Sequence, residues 1–144
     1  MKVFRDNANR QWELSINIAT VKRVKEVLGV DLLDFPDVFT QLAEDLITLC
    51  NVLFVLIQPQ AEKAKVTDED FGASMAGDSF ENASMALMEE IINFFPQERR
   101  KILLKLKDKA QQHQEKVIQL AEAKLNSTDL DELLNKSIQT VSGS

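Results

Sequence analysis

Apolar and polar residues alternate singly near the start of the chain and then change rhythm. Trp12, Leu14 and Ile16, with Ile18 at the margin, alternate with Glu13, Ser15 and Asn17. That period of two gives a strand one buried and one wet face. Val3–Arg5 and Arg10–Asn17 flank Asp6-Asn7-Ala8-Asn9, residue types that accept the turn conformations of a hairpin. The pattern predicts an N-terminal β-hairpin. A lone hairpin is marginal in water, so its apolar face requires helices or another sheet.

From Ile18 the apolar positions fall three or four apart. Ile18, Val21, Val24 and Leu28 share one face, with Lys22, Arg23, Lys25 and Glu26 filling the other and Gly29 following. This predicts an amphipathic helix of about ten residues with a glycine stop. Val30–Phe35 reads as a connector. Pro36 suits a first helical position ahead of a short helix over Asp37–Ala43. Asp45 or Thr48 marks a break before the most apolar run, Leu46–Ile57. Pro59 should kink or interrupt that helix, with Ala61–Lys65 resuming it.

Thr67–Ala83 reads TDEDFGASMAGDSFENA. Thr67 with Asp70, and Asp78 with Glu81, have the spacing of capping boxes. Gly77 stands where a short helix ending near Met75 needs a left-handed residue. The stretch parses as cap, short helix, glycine stop, cap, long helix. As a calcium loop starting at Asp68 it fails, because Gly72 and Ser79 fall at the fifth and twelfth positions, where oxygen ligands and a glutamate belong. The helix over Ser79–Phe95 should bury Phe80, Ala83, Leu87, Ile91 and Phe94, with Met88, Ile92 and Phe95 widening the stripe. Pro96 ends it or starts the next. Gln97 to about Leu125 is the longest helical pattern, reaching roughly 40 Å. Along it Leu103, Leu106, Ala110, His113, Val117 and Leu120 alternate in steps of three and four, a heptad seam. Thr128 suits the cap of a last short helix, Asp129–Lys136, and Ser137–Ser144 reads as a frayed tail.

The expected fold is therefore mainly α (α+β): an N-terminal hairpin packed on a helical bundle, with a long C-terminal helix. Residues 1–96 form the globular body, 97–136 a long helical arm with a short terminal helix, and 137–144 a disordered tail. Four glycines and three prolines in 144 residues agree with a helical chain of few loops.

Charge sharpens this division. Residues 1–96 hold eight bases and sixteen acids, and residues 97–125 hold eight bases and four acids. An acidic body thus carries a basic arm, although the whole chain has a net charge of −6, which argues against bulk nucleic-acid binding. Met1–Asp6 is charged, unlike a signal peptide, and the apolar run of about twelve residues is too short for a bilayer. The single cysteine, Cys50, allows no internal disulfide, which fits a reducing, cytoplasmic setting.

Chemistry is sparse. His113 is the only histidine and sits on the seam among glutamines and lysines, while Cys50 lies in the apolar helix. Neither has the setting of a nucleophile–base pair, and one of each is too few for a zinc site. Glu89-Glu90 lacks the Glu-x-x-His partners of a di-iron bundle, and no glycine loop cradles phosphate. The expectation is no enzyme, no cofactor and no metal. What remains are interaction surfaces: Arg99, Arg100, Lys105 and Lys109 on the arm, the seam residues Leu103, Leu106, Val117 and Leu120, and Trp12 should it be exposed. On the alternating hairpin face, Trp12 also reads as a core residue. The arm lacks aromatics for base stacking, so a nucleic-acid regulator is the weaker use of its charge. Binding the acidic body of a neighbouring subunit is another use, and such a head-to-tail contact makes a ring if it closes.

Phe4-x-Asp6…Arg10-x-Trp12-x-Leu14, the helix holding Thr20-Val21-Lys22-Arg23-Val24, then Val30-Asp31-Leu32-Leu33, Thr67-Asp68-Glu69-Asp70-Phe71, Met75-Ala76-Gly77-Asp78 and Phe94-Phe95-Pro96 together resemble small proteins of phage and prophage tail modules, similar to the tail assembly chaperones of long-tailed phages. The resemblance covers about Val3 to Leu106. It implies a small cytoplasmic protein, with no cofactor and no catalysis, that coats the long helical tape measure protein before the tail tube polymerises. In many phages a programmed frameshift adds a longer product from the same start. It carries no ligand residues over to this chain. A structural tail or connector component that stays in the virion is the alternative within the same setting.

Overall fold

The structure, a computed structural model, describes residues 2–34 and 37–127. Elements follow in the order β1 (Lys2–Arg5), β2 (Gln11–Leu14), α1 (Ile18–Leu28), α2 (Asp37–Glu44), α3 (Leu46–Ala64), α4 (Asp68–Ala73), α5 (Asp78–Phe94) and α6 (Gln97–Ser127). Contacts divide the chain inside α6, into a unit ending at Lys101 and a second beginning at Ile102. The expected Pro36 start of α2, the Thr128 cap, the Asp129–Lys136 helix and the 137–144 tail lie outside the described residues.

In the first unit the hairpin is antiparallel, with Phe4 opposite Trp12 and Lys2 opposite Leu14. Phe4, Trp12 and Leu14 are buried, as the period of two requires. The second arm is shorter than its alternation suggested: Ile18 begins α1 and is exposed. Asn17 explains the change. Its side chain accepts from the Thr20 N–H while the Thr20 hydroxyl accepts from the Asn17 N–H, a reciprocal cap that commits Asn17 to starting α1 rather than to extending the strand. Gly29 closes α1 at φ 70°, with its N–H donated to the Lys25 carbonyl.

The hairpin lies on α3 and α5. α3 forms the centre of the core, burying Leu49, Val52, Leu53, Val55, Leu56, Ile57 and Ala61. Asp45 caps it, accepting from the Thr48 N–H at 3.1 Å and the Thr48 hydroxyl at 2.7 Å. The helix runs unbroken through Pro59 to Ala64, so of the expected kink or interruption, the interruption does not occur. Proline lacks one helical N–H, and buried Ile57 and Ala61 on either side hold the helix across that loss. Near its end Gln60 reaches the hairpin. Its amide donates to the Glu13 carbonyl at 2.8 Å and accepts from the Glu13 N–H at 2.9 Å. It satisfies the outer edge of β2 as a third strand would.

Thr67 and Asp70 form the expected capping box at α4. The second box does not form. Gly77 caps α5 at φ 58°, ψ −125°, and Asp78 is already the first helical residue. The left-handed residue thus opens the second helix rather than closing the first, which ends at Ala73 with Ser74 as its cap. Asp78 serves the helix dipole instead of a cap. Ser79 ties the turn by donating to the Ala76 carbonyl at 2.8 Å and accepting from the Ala76 N–H at 2.9 Å. A Cβ at Gly77 would meet nothing within 4 Å, so Gly77→Ala tests backbone strain alone. We expect it to cost about 1–2 kcal/mol in urea unfolding. A neutral result would mean that the turn relaxes freely.

α5 buries Ala83, Leu87, Ile91 and Ile92 as expected, but Phe80, Met88 and Phe94 are only half-buried, and Ser79, Ala86 and Glu90 are buried instead. The buried arc has turned by part of a helical turn. α5 packs on β1, and the Lys2–Glu89 ion pair at 2.9 Å spans the two. The second unit consists, among described residues, of the remainder of α6. That helix is 31 residues long in all, about 46 Å.

Candidate functional site

Two constellations stand out, one in each unit. In the first unit, Asp6 organises the hairpin turn. Its side chain is fully buried. It accepts from the Trp12 indole N–H at 2.9 Å, the Arg10 Nε at 2.8 Å, and the backbone N–H groups of Ala8 and Arg10, each at 3.0 Å. Burial pushes the Asp6 carboxyl upward, but the donors from Trp12 and Arg10 and the Arg10 charge outweigh it, leaving the group below the ordinary carboxylate range. Arg10 continues to the Ser74 hydroxyl at 2.7 Å, and Asn7 donates its N–H to the Ser74 carbonyl at 2.7 Å. The turn is thereby fastened to the end of α4. Beneath it Phe71 meets Trp12 edge-on at 5.9 Å, Phe4 at 6.3 Å and Phe54 at 5.8 Å.

Every acceptor site of Asp6 that faces the interior is occupied by this chain, so the constellation holds the fold and offers nothing to a ligand. Trp12 therefore belongs to the core: it is 2% exposed, and its one polar atom is already bonded. Of its two sequence readings, the structure supports the core one. Asp6 itself was missed. The available signals were Arg10 four residues on and Trp12 on the inner hairpin face, but a carboxylate in an Asp-Asn-Ala-Asn turn reads first as a wet turn residue.

The second constellation is the apolar face of α6. Leu106, Val117 and Leu120 are 42%, 51% and 71% exposed, and Ile102, Leu104, Ile118 and Leu125 are exposed as well. Among the seam residues only Leu103 is buried. Lys105, Lys109 and His113 are exposed. Arg99 and Arg100 belong to the first unit, where the Arg99 guanidinium lies 5.8 Å from the Phe95 ring centroid and Arg100 is half-buried. The candidate residues thus do not form one cluster. Ile118 and Leu125 were not singled out in sequence because they lie beside the strict three–four seam rather than on it.

Other chemistry is thin among the described residues. No group of three or more His, Cys, Asp or Glu is placed to hold a metal ion. Cys50 is half-buried, and burial, with help from Asp68, pushes its thiol up, away from the reactive thiolate. Among the described residues no single helix is long and apolar enough to cross a membrane. The α2–α3 pair passes by length and composition but bends by 109°, and the apolar side chains of α3 are committed to the core. No family model, curated protein or solved structure matches the chain.

Proposed function

We propose that the chain is a non-enzymatic assembly chaperone or adaptor of phage tail morphogenesis, acting in the host cytoplasm on a long helical partner of the tape measure type. The observation that carries this reading is the exposed α6 face, where Leu106, Val117 and Leu120 present an uncovered heptad seam. Apolar side chains recurring at three- and four-residue steps on an exposed helix are what another amphipathic helix packs against. The setting in tail assembly comes from the sequence resemblance. A nucleic-acid role for the same helix is less well supported, because acids Asp108, Glu115 and Glu122 interrupt its charge and it has no aromatic residue.

The test begins with the DNA around the gene, where a slippery heptamer near its end and a very long helical reading frame beyond it are expected. The product of that frame, co-expressed with this chain, should stay in solution and co-purify with it. Leu106→Ser together with Leu120→Ser should lower the recovered complex about tenfold or more while leaving the circular dichroism of the isolated chain nearly unchanged, since both side chains are exposed. A long neighbouring product that ignores this chain, or that binds the double variant equally well, removes the reading.

A further inference from the structure

The charges on α6 are distributed unevenly around its seam. With Leu103, Ala110 and Val117 at one core position and Leu106, His113 and Leu120 at the other, the flanking positions are residues 102, 107, 109, 114, 116, 121 and 123. They carry lysine three times and no acid. The acids Asp108, Glu115 and Glu122 recur every seven residues, on the side of the helix away from the seam. Lys109 and Lys116 are exposed beside exposed Leu106, Val117 and Leu120. In a two-helix coil, flanking charges choose the partner and its orientation. A second copy of α6 would bring no acid to these lysines in either orientation, and in the antiparallel one would place lysine against lysine.

We propose that this face, from Leu106 to Leu120, takes an acidic amphipathic helix whose flanking glutamates or aspartates meet Lys109 and Lys116. The inference rests on the helical-partner reading above and adds the charge of the partner. The face spans fifteen residues, about 22 Å, long enough for about two heptads of contact. Ala110 and His113 at its middle are small and polar, so the apolar contribution is modest and the charges decide between otherwise similar helices.

The test uses the full chain and three synthetic four-heptad peptides with leucine at both core positions and glutamate, lysine or glutamine at both flanking positions. Binding is read by fluorescence anisotropy of the labelled peptide. At 50 mM salt the glutamate peptide should bind about tenfold tighter than the lysine peptide, from two exposed contacts turned from repulsion to attraction. The gap should shrink at 500 mM salt as charges are screened. Lys109→Glu with Lys116→Glu should reverse the order of the two peptides without altering circular dichroism. Equal binding of all three peptides overturns the acidic partner but leaves a helical one standing. Failure to bind the glutamate peptide also overturns it. If the chain then sediments as an oligomer that Leu106→Ser with Leu120→Ser dissociates, the seam belongs to a second copy and the partner reading falls with it.

Discussion

Phe71→Ala should cost about 4 kcal/mol, the largest loss expected of any single truncation in the first unit. Phe71 is fully buried in the six-residue helix α4 and touches three aromatic rings from β1, β2 and α3. Truncating a buried phenylalanine removes its transfer free energy and leaves a cavity, together about 3–5 kcal/mol. Two edge-on contacts and one tilted contact are lost as well, each about 0.5–1.5 kcal/mol where such pairs have been isolated. A helix this short has little stability of its own, so α4 should loosen with its anchor. Trp12 is the only tryptophan and stands against the Phe71 ring, so its emission reports the site directly. Urea unfolding followed by Trp12 fluorescence should shift to lower midpoint, and native emission should move to the red. Phe71→Leu keeps most of the volume and should recover more than half of the loss. A cost below about 1 kcal/mol for the alanine variant would mean that hairpin and α4 are held by something other than this aromatic hub.

Asp6→Asn should cost about 3 kcal/mol near neutral pH, and the cost should shrink in acid. The substitution keeps the shape but puts an amide N–H₂ where one carboxylate oxygen accepted. At least one of the Trp12, Arg10 and Ala8 donors then faces another donor, and the Arg10 charge loses its partner. Breaking a buried, charge-assisted set of this kind costs about 3–5 kcal/mol when one member is removed, at the lower end here because Arg10 is partly exposed. The pH dependence follows from the depressed carboxyl. A group whose folded pKa lies below its unfolded value of about 3.9 stabilises the fold above that value, and the contribution disappears as pH falls through the folded pKa. The gap between parent and variant should therefore be full at pH 6 and narrow steadily below about pH 4. Asp45 and Asp70 are also held low, Asp45 chiefly by the Thr48 hydroxyl and Asp70 chiefly by the Thr67 N–H. The variant keeps these groups, so it still loses stability in acid, though less steeply. A gap that stays constant from pH 6 to pH 2 would show that the Asp6 charge contributes nothing and only the shape of the side chain matters.

These two residues show how differently the elements could be read in advance. The period-two alternation of Trp12 and Leu14 and the steps of Val21 and Val24 placed the hairpin face and α1, because burial follows directly from strand and helix geometry. The Thr67–Asp70 box was equally legible, since both partners lie within four residues. Asp6 was not, because its role depends on donors held by the hairpin register and on Ser74 brought up from α4.

Local pattern alone determined a mainly helical chain with an N-terminal hairpin, a glycine stop after α1, a cap at α4 and a long final helix with a heptad seam, since each of these depends on contacts within a few residues. Only the tertiary structure decided that the Asp6–Arg10 pair is tied to Ser74, that α3 continues through Pro59, that Gly77 opens α5 rather than closing α4, and that Leu103 is buried while Leu106, Val117 and Leu120 remain exposed. The reason is common to all four. A periodic pattern specifies a face, but what covers that face, or leaves it open, depends on residues far away in sequence, whose approach is fixed only when the whole core packs.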